Sequence, residues 1–277
     1  MSGFSPEWLS LREPSDHRAR DAMLGLKLAD RLQKRGSIAV TDLGCGTGSN
    51  IRATYALLGP EQHWTLVDHD AKLLAAARTH LTAWAERATP HGDRLELVKS
   101  GKRLTVAFQQ ADLVAHLDEA LGERPDLVTA SALFDLCSAP FIARFAKAVV
   151  ARKAAFYTVL TYNGIQKWTP AHAADAAMLD AFHAHQMTDK GFGPSAGPAA
   201  PRALATAFKA NGYAVHEGDS PWLLGRSDQA LIDELVPGFA GAVAETGSVP
   251  APKLAEWHAV KRHGAEVGHT DTLAVPM

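Results

Sequence analysis

Cysteine is almost absent from this chain: among 277 residues only Cys45 and Cys137 occur, each beside a segment of strand character. Two distant thiols build no disulfide framework, and no Cys-x-x-Cys or Cys/His spacing suited to zinc is present, so no metal is expected. Unpaired thiols suit a reducing compartment, and the expected location is cytoplasmic. Long apolar runs are missing too. No stretch of about 18 apolar residues occurs, which speaks against a membrane-spanning helix. Residues Met1 to Leu11 lack the basic start and apolar middle of a secretory signal. Charge of one sign is also lacking, since 28 basic and 30 acidic residues leave a net charge of −2. Proteins that hold nucleic acid by its phosphates usually carry a basic surplus or a dense basic patch. The one basic cluster, Arg12, Arg18 and Arg20, is interleaved with Glu13, Asp16 and Asp21 and reads as a solvated helix face. A nucleic-acid partner is therefore disfavoured, and nothing in the sequence specifies an oligomeric state.

Core-forming material is plentiful, at 47% hydrophobic residues, enough for one large domain with covering segments. A helix capped by Ser15 or Asp16 is expected to run to about Arg35, with Leu24, Leu28 and Leu32 as its apolar stripe. Strands are expected at Ser37–Leu43, Trp64–Val67, Leu104–Gln110, Asp126–Ser131 and Ala155–Thr161, with Arg94–Lys99 as a lead-in to the third. Helical patterns separate them. This alternation argues for an α/β fold with a parallel sheet covered on both faces. The second half adds helices, a Gly/Pro-rich stretch from Lys190 to Pro201, and strands at Tyr213–Glu217 and Thr272–Val275. The chain reads as a single domain over 1–277, with an N-terminal helical cap over 1–35 and cap or lid insertions over 164–200 and 221–268.

The most informative segment is Val40-Thr41-Asp42-Leu43-Gly44-Cys45-Gly46-Thr47-Gly48-Ser49-Asn50, where the first strand turns into a helix. Glycines there let the backbone turn sharply and approach a ligand closely. The dinucleotide fingerprint G-x-G-x-x-G wants glycine or alanine where Ser49 stands. An acid at position 42 is a poor neighbour for a pyrophosphate and a good one for an ammonium group. A nucleotide-dependent oxidoreductase is thus disfavoured. Asp68 follows Gly48 by 20 residues at the end of the second strand, where a carboxylate can accept both ribose hydroxyls. Asp112 ends the third strand and is placed to accept from an adenine amino group.

The run from Asp42 to Gly48, with Asp68 and Asp112, resembles motifs one to three of the class I S-adenosylmethionine-dependent methyltransferases. The likeness covers Ser37 to Thr161, and the remainder matches only in element order. It implies a doubly wound, seven-stranded, mostly parallel Rossmann-like sheet with a final antiparallel strand and helical cap insertions, and S-adenosyl-L-methionine as cofactor. By that resemblance Gly44, Gly46 and Gly48 contact the methionine part, Asp68 holds the ribose, and Asp112 with Leu113 frames the adenine. Cys45 and Asn50, His69 beside Asp68, and Ser131 at the end of the fourth strand join the expected cofactor-binding set.

The acceptor side is less legible. The Asn/Asp-Pro-Pro-Tyr tetrad of enzymes that methylate exocyclic amines is lacking, and Leu136 rather than proline precedes Cys137, which argues against a covalent cysteine mechanism. Ser131 and Asp135 are the polar candidates after the fourth strand, and Asp135 can orient or deprotonate an acceptor. Tyr162 and Asn163 are expected just after the fifth strand. His183 and His185 stand two apart, a spacing unsuited to a helical two-His metal clamp, and His185 aligns with Met178 and Ala181. The expected catalytic set is Asp135, His185 and Tyr162. The neutral charge balance favours a small-molecule acceptor. Methylation of RNA or protein, or a non-catalytic cofactor-binding module, are the alternatives.

Overall fold

A computed structural model of the chain describes residues 4–277. The first three residues of the expected N-terminal cap lie outside the described residues. Helices α1 (Pro6–Ala19) and α2 (Ala22–Leu32) come first, followed along the chain by α3 (Ser49–Thr54), α4 (Ala71–Trp84), α5 (Leu117–Leu121), α6 (Ala139–Ala151), α7 (Asp175–Gln186), α8 (Ala200–Ala210), α9 (Gln229–Thr246) and α10 (Ala251–His258). The expected single helix from Ser15 or Asp16 to Arg35 is therefore two. Arg20 leaves the helical backbone region, and the Asp21 carboxylate accepts from the Leu24 N–H at 2.7 Å, which starts a new helix. Helix α1 runs through Pro14, and the two residues after it, Ser15 and Asp16, are buried.

The sheet contains β1 (Ser37–Leu43), β2 (Glu61–Asp68), β3 (Arg87–His91), β4 (Arg94–Lys99), β5 (Lys102–Gln110), β6 (Leu127–Ser131), β7 (Ala155–Thr169), β8 (Tyr213–Asp219), β9 (Trp222–Leu224) and β10 (Gly264–Pro276). The spatial order is β3-β4-β5-β2-β1-β6-β7-β10-β8, with β9 on β10. Strands β5, β2, β1, β6 and β7 run parallel, while β10 is antiparallel to β7 and to β8. Ten strands replace the expected seven. The β3–β4 hairpin extends the β5 edge, so Arg94–Lys99 is a sheet strand in its own right, and β9 adds a short edge. The last strand begins at Gly264, not Thr272, which takes the end of the expected 221–268 insertion into the sheet.

Successive residues of the parallel strands feed opposite faces, as the pleat requires. Val40, Leu66, Leu127, Tyr157 and Val159 join one buried cluster with Leu28 and Leu32 of α2. Leu43, Val67, Val128, Ala130 and Phe156 join the other. That second cluster is completed by Phe141 and Phe145 of α6 (Ala139–Ala151) and by Leu204 and Phe208 of α8 (Ala200–Ala210). On the first face, α7 (Asp175–Gln186) and α9 (Gln229–Thr246) stack Phe182 on Phe239 at 4.5 Å. Among the described residues, no helix is long and apolar enough to cross a membrane.

One asymmetry positions the candidate site. The β6–β7 ladder stops at Ser131 and Val159, yet β7 continues to Thr169, paired with β10 except at register shifts between Val267 and His269 and between Thr270 and Thr272. The β7–β10 overhang therefore rises beyond the carboxyl ends of β1, β2, β5 and β6. Open α/β sheets bind ligands at those ends.

Candidate functional site at the carboxyl edge of the sheet

Between β1 and α3 (Ser49–Thr54), glycines 44, 46 and 48 have φ of 61°, 52° and 76°. Side chains other than glycine rarely adopt this left-handed region, so the loop geometry explains the glycine spacing. The Cys45 N–H donates to the Val67 carbonyl at 3.0 Å and ties the loop to β2. The Cys45 thiol is buried and pushed up by burial, which keeps it protonated.

Asp42 lies directly beneath this loop and is fully buried. Its Oδ1 accepts from Asn50 Nδ2 at 2.7 Å, while Oδ2 has no partner. Asn50 also donates to Thr129 Oγ1 at 3.0 Å and accepts at Oδ1 from Arg20 Nη2 at 2.9 Å. Burial pushes the Asp42 carboxyl up to about 7, against the pull of Asn50 and Arg20, and the Asp68 charge adds to the rise. The folded chain therefore keeps this proton across a window, from the ordinary 3.8 to about 7, in which an unfolded aspartate has lost it. Stability from this group is full below that window and is lost as pH climbs through it. Denaturant unfolding at pH 4.5 and 7.5 should show wild type losing more stability than Asp42→Asn over this interval. Equal losses would mean that Asp42 titrates normally.

Asp68 ends β2 and is buried. Its Oδ2 accepts from the Gly46 N–H at 2.9 Å and its Oδ1 from the Asp70 N–H at 3.0 Å, so it braces the loop as well as facing the edge. Exposed His69 places Nδ1 3.4 Å from Asp68 Oδ1. Asp112, past the end of β5, is exposed, and its Oδ1 caps the Val114 N–H at 2.8 Å. Leu113 beside it is buried. Ser131 is half-buried at the tip of β6. The three acids thus stand at the ends of neighbouring strands.

Helix α1 covers the loop, and a Cβ on Gly46 would lie 3.0 Å from Leu9 Cδ1. Its other ties are polar. Arg52 pairs with Glu13 at 2.5 Å, His17 Nε2 lies 2.9 Å from Ser49 Oγ, and Trp222 Nε1 donates to Asp16 at 3.0 Å. Thr47 Oγ1, Asp42 Oδ2 and Arg20 Nε are buried without partners. Orphaned donors and acceptors of both kinds beside one loop suit a ligand with an ammonium and a carboxylate.

The acceptor-side candidates do not all converge. Asp135 sits just past β6, half-buried, with Oδ1 shielded from water and unpartnered. Burial pushes its carboxyl up to about 6, and Arg12 pulls against the rise. Tyr162 is inside β7, not after it as expected, because the strand runs on into the overhang. Its phenol is held protonated by burial and by the Asp135 charge. The histidine that reaches Tyr162 is His183, with Nε2 3.0 Å from the hydroxyl. His185 points elsewhere, and its Nε2 lies 3.0 Å from Glu245 Oε2. Residues two apart on a helix diverge by more than half a turn, so only one of the two can face β7. The expectation that His185 serves the acceptor pocket is corrected accordingly.

His269 of β10 is paired across the strands with Tyr162 and was not anticipated, because the last strand reads too short in sequence. Extending the alternation of Ala265 and Val267 forward by one step would have found it. Its Nδ1 lies 3.3 Å from the Ser220 carbonyl, and burial drives its pKa down to about 3, so it is a neutral imidazole. Arg12 stacks over Trp222 at 5.2 Å, and Trp222 packs on His269 at the same separation. The Gly/Pro stretch expected as a lid is pinned by Ser195, whose hydroxyl donates to the Leu136 carbonyl at 2.8 Å, and by the Phe192–Phe141 contact at 4.8 Å. Lys190 Nζ stands 3.4 Å from His185 Nε2.

No protein-family model matches the chain, and no curated protein matches it. Solved structures do. The chain is similar to a cyclopropane-fatty-acyl-phospholipid synthase-like protein from Lactobacillus casei, with 18% identity and a TM-score of 0.53 over 98% of this chain and 94% of that one. A cyclopropane synthase from Mycobacterium tuberculosis shares 12% identity at a TM-score of 0.51, over 98% and 94% of the two chains. A mycolic acid cyclopropane synthase complexed with SAH matches with the same identity, TM-score and coverage, 12%, 0.51, 98% and 94%. At such identities the likeness is one of fold. With its glycine loop after β1 and the reversed strand β10 inserted between β7 and β8, the chain has the class I S-adenosylmethionine-dependent methyltransferase fold.

Proposed function

We propose that this protein is an S-adenosylmethionine-dependent methyltransferase acting on a small-molecule acceptor. The observation that carries the reading is Asp42, buried and half-satisfied beneath three left-handed glycines, with Asp68 at the next strand end. When bound, S-adenosylmethionine supplies an electrophilic methyl group for in-line displacement. Asp42 Oδ2 receives the ammonium, the main chain of Gly44, Cys45, Gly46 and Gly48 lines the methionine part, and Asn50 orients Asp42. Asp68 holds the ribose with His69 alongside, Asp112 and Leu113 frame the adenine, and Ser131 closes the site at β6.

On the acceptor side, Asp135 is the base. A carboxylate lifted to about 6 by burial is poised for proton transfer near neutrality. Tyr162, kept protonated and tied to His183, orients the acceptor. The remaining task is alignment and exclusion of water, which for well-oriented reactants is worth effective molarities on the order of 10⁵ M and more. Helix α1 and the segments 170–200 and 225–263 serve as cover in this reading. The near-neutral charge and that cover support a small acceptor over RNA or protein.

The direct test is calorimetric titration with S-adenosylmethionine, S-adenosylhomocysteine and, as control, NAD. Saturable binding of the two sulfur ligands alone is expected, and binding of neither would remove the proposal. Once an acceptor is in hand, Asp135→Asn should lower kcat by about 10²-fold or more, the usual worth of a general base, with cofactor affinity unchanged. Wild-type kcat should rise between pH 5 and 7 and then level, because the base form accumulates above about 6. A variant with wild-type kcat and the same pH profile would take that role from Asp135.

A further inference from the structure

Arg20 stands apart from the other arginines near the glycine loop. Arg12 pairs with Asp16, Arg18 with Asp228 and Arg52 with Glu13. Arg20 forms no ion pair among the described residues. Its Nη1 donates to Thr54 Oγ1 at 3.0 Å and its Nη2 to Asn50 Oδ1 at 2.9 Å, both neutral acceptors. Its Nε is buried without any partner. Arg20 is half-buried, and the charges of Asp42 and Asp271 reach it without direct contact, so its guanidinium, which keeps its charge, has room for an anion on its free Nε edge.

The anion's place is marked from the other side. Asn50 uses its amide oxygen for Arg20 and its amide nitrogen for Asp42, which sets a cation and an acid on either side of one small group. Each ends in a buried, unsatisfied atom, Nε on Arg20 and Oδ2 on Asp42. Thr47 Oγ1, in the loop itself, is a third such atom. An acid alone would suit any amine. An acid and an unpaired guanidinium bridged by one amide suit an α-amino acid, whose ammonium and carboxylate are held close together.

We infer that Arg20 binds the carboxylate of the cofactor's amino-acid part, completing a zwitterion site with Asp42 and Asn50. This deepens the proposed function and rests on it. It also gives the N-terminal cover a purpose. Arg20 is the residue that ends α1, and α1 lies across Gly46, so a ligand carboxylate on the guanidinium would fasten that helix over the loop.

The test uses two probes that differ only in the carboxylate: S-adenosylhomocysteine and its decarboxylated form, S-adenosyl-3-thiopropylamine. Calorimetry on wild type should show S-adenosylhomocysteine bound about 10- to 100-fold more tightly, the worth of a charge-assisted hydrogen bond. Arg20→Ala should erase that preference by weakening the first probe and leaving the second unchanged. Arg20→Lys, which keeps the charge but not the fork, should restore part of it. Equal affinity of wild type for both probes would overturn the assignment without any variant. Equal weakening of both probes by Arg20→Ala would do so too, because it would make Arg20 a strut of the α1–α3 contact. Binding of neither probe by wild type would instead remove the cofactor reading itself, and this inference with it.

Discussion

Asp68→Ala should lower the affinity for S-adenosylhomocysteine by about 100-fold or more. A carboxylate accepting two ribose hydroxyls makes two charge-assisted hydrogen bonds, each worth roughly 1.5–3 kcal/mol. The same side chain accepts from the Gly46 and Asp70 N–H groups, so its loss also leaves the loop less braced. Asp68→Asn separates the two effects. It keeps the shape and one acceptor oxygen, and should lie between wild type and the alanine variant. Calorimetry of both variants, with a thermal melt beside each, measures affinity and folding independently. An alanine variant within threefold of wild-type affinity would take the ribose from Asp68.

Phe156→Ala should cost about 3–5 kcal/mol of stability, the range for deleting a fully buried aromatic side chain. Phe156 is fully buried on β7 and is the meeting point of three rings. Phe208 stacks on it at 4.8 Å, Phe145 meets it edge-on at 5.1 Å, and Phe134 at 5.3 Å. These rings come from α8, α6 and the turn after β6, so one cavity loosens three elements at once. Urea denaturation should show the midpoint falling with the slope unchanged. A loss under about 1 kcal/mol would mean that the neighbouring rings collapse into the space and that this face is softer than its packing indicates. Phe156→Leu, which keeps most of the volume, should recover much of the loss.

Much of this architecture is legible in the sequence, and for a definite reason. Strands buried on both faces are short apolar runs, and helices between them carry an apolar stripe, so Ser37–Leu43, Asp126–Ser131 and the helices after them are written locally. The glycine loop is local as well, because three left-handed backbone positions in five residues admit glycine almost alone. Asp42 and Asp68 follow from their offsets to that loop. What local pattern misjudges are ends and breaks. The expected helix starts at Ser15 or Asp16 and runs unbroken to about Arg35, whereas the true break comes at Arg20–Asp21, where a capping carboxylate starts α2. Strand β7 runs past its expected end and β10 begins well before its expected start because each is the other's partner, and pairing does not show in either strand alone.

The candidate site divides along the same line. By itself the sequence determined an α/β sheet of alternating strands and helices, a glycine turn after the first strand, and acids at three strand ends, since each depends on residues within one turn or one strand. Only the tertiary structure decided which polar atoms are left without partners. The isolation of Arg20, the free oxygen of Asp42, the choice of His183 over His185 and the arrival of His269 opposite Tyr162 depend on segments up to 250 residues apart, as Asp21 and Asp271 are when they meet at the same edge. Hydrogen-bond satisfaction is a property of a closed packing arrangement, and no stretch of chain carries it before the sheet has brought its partners together.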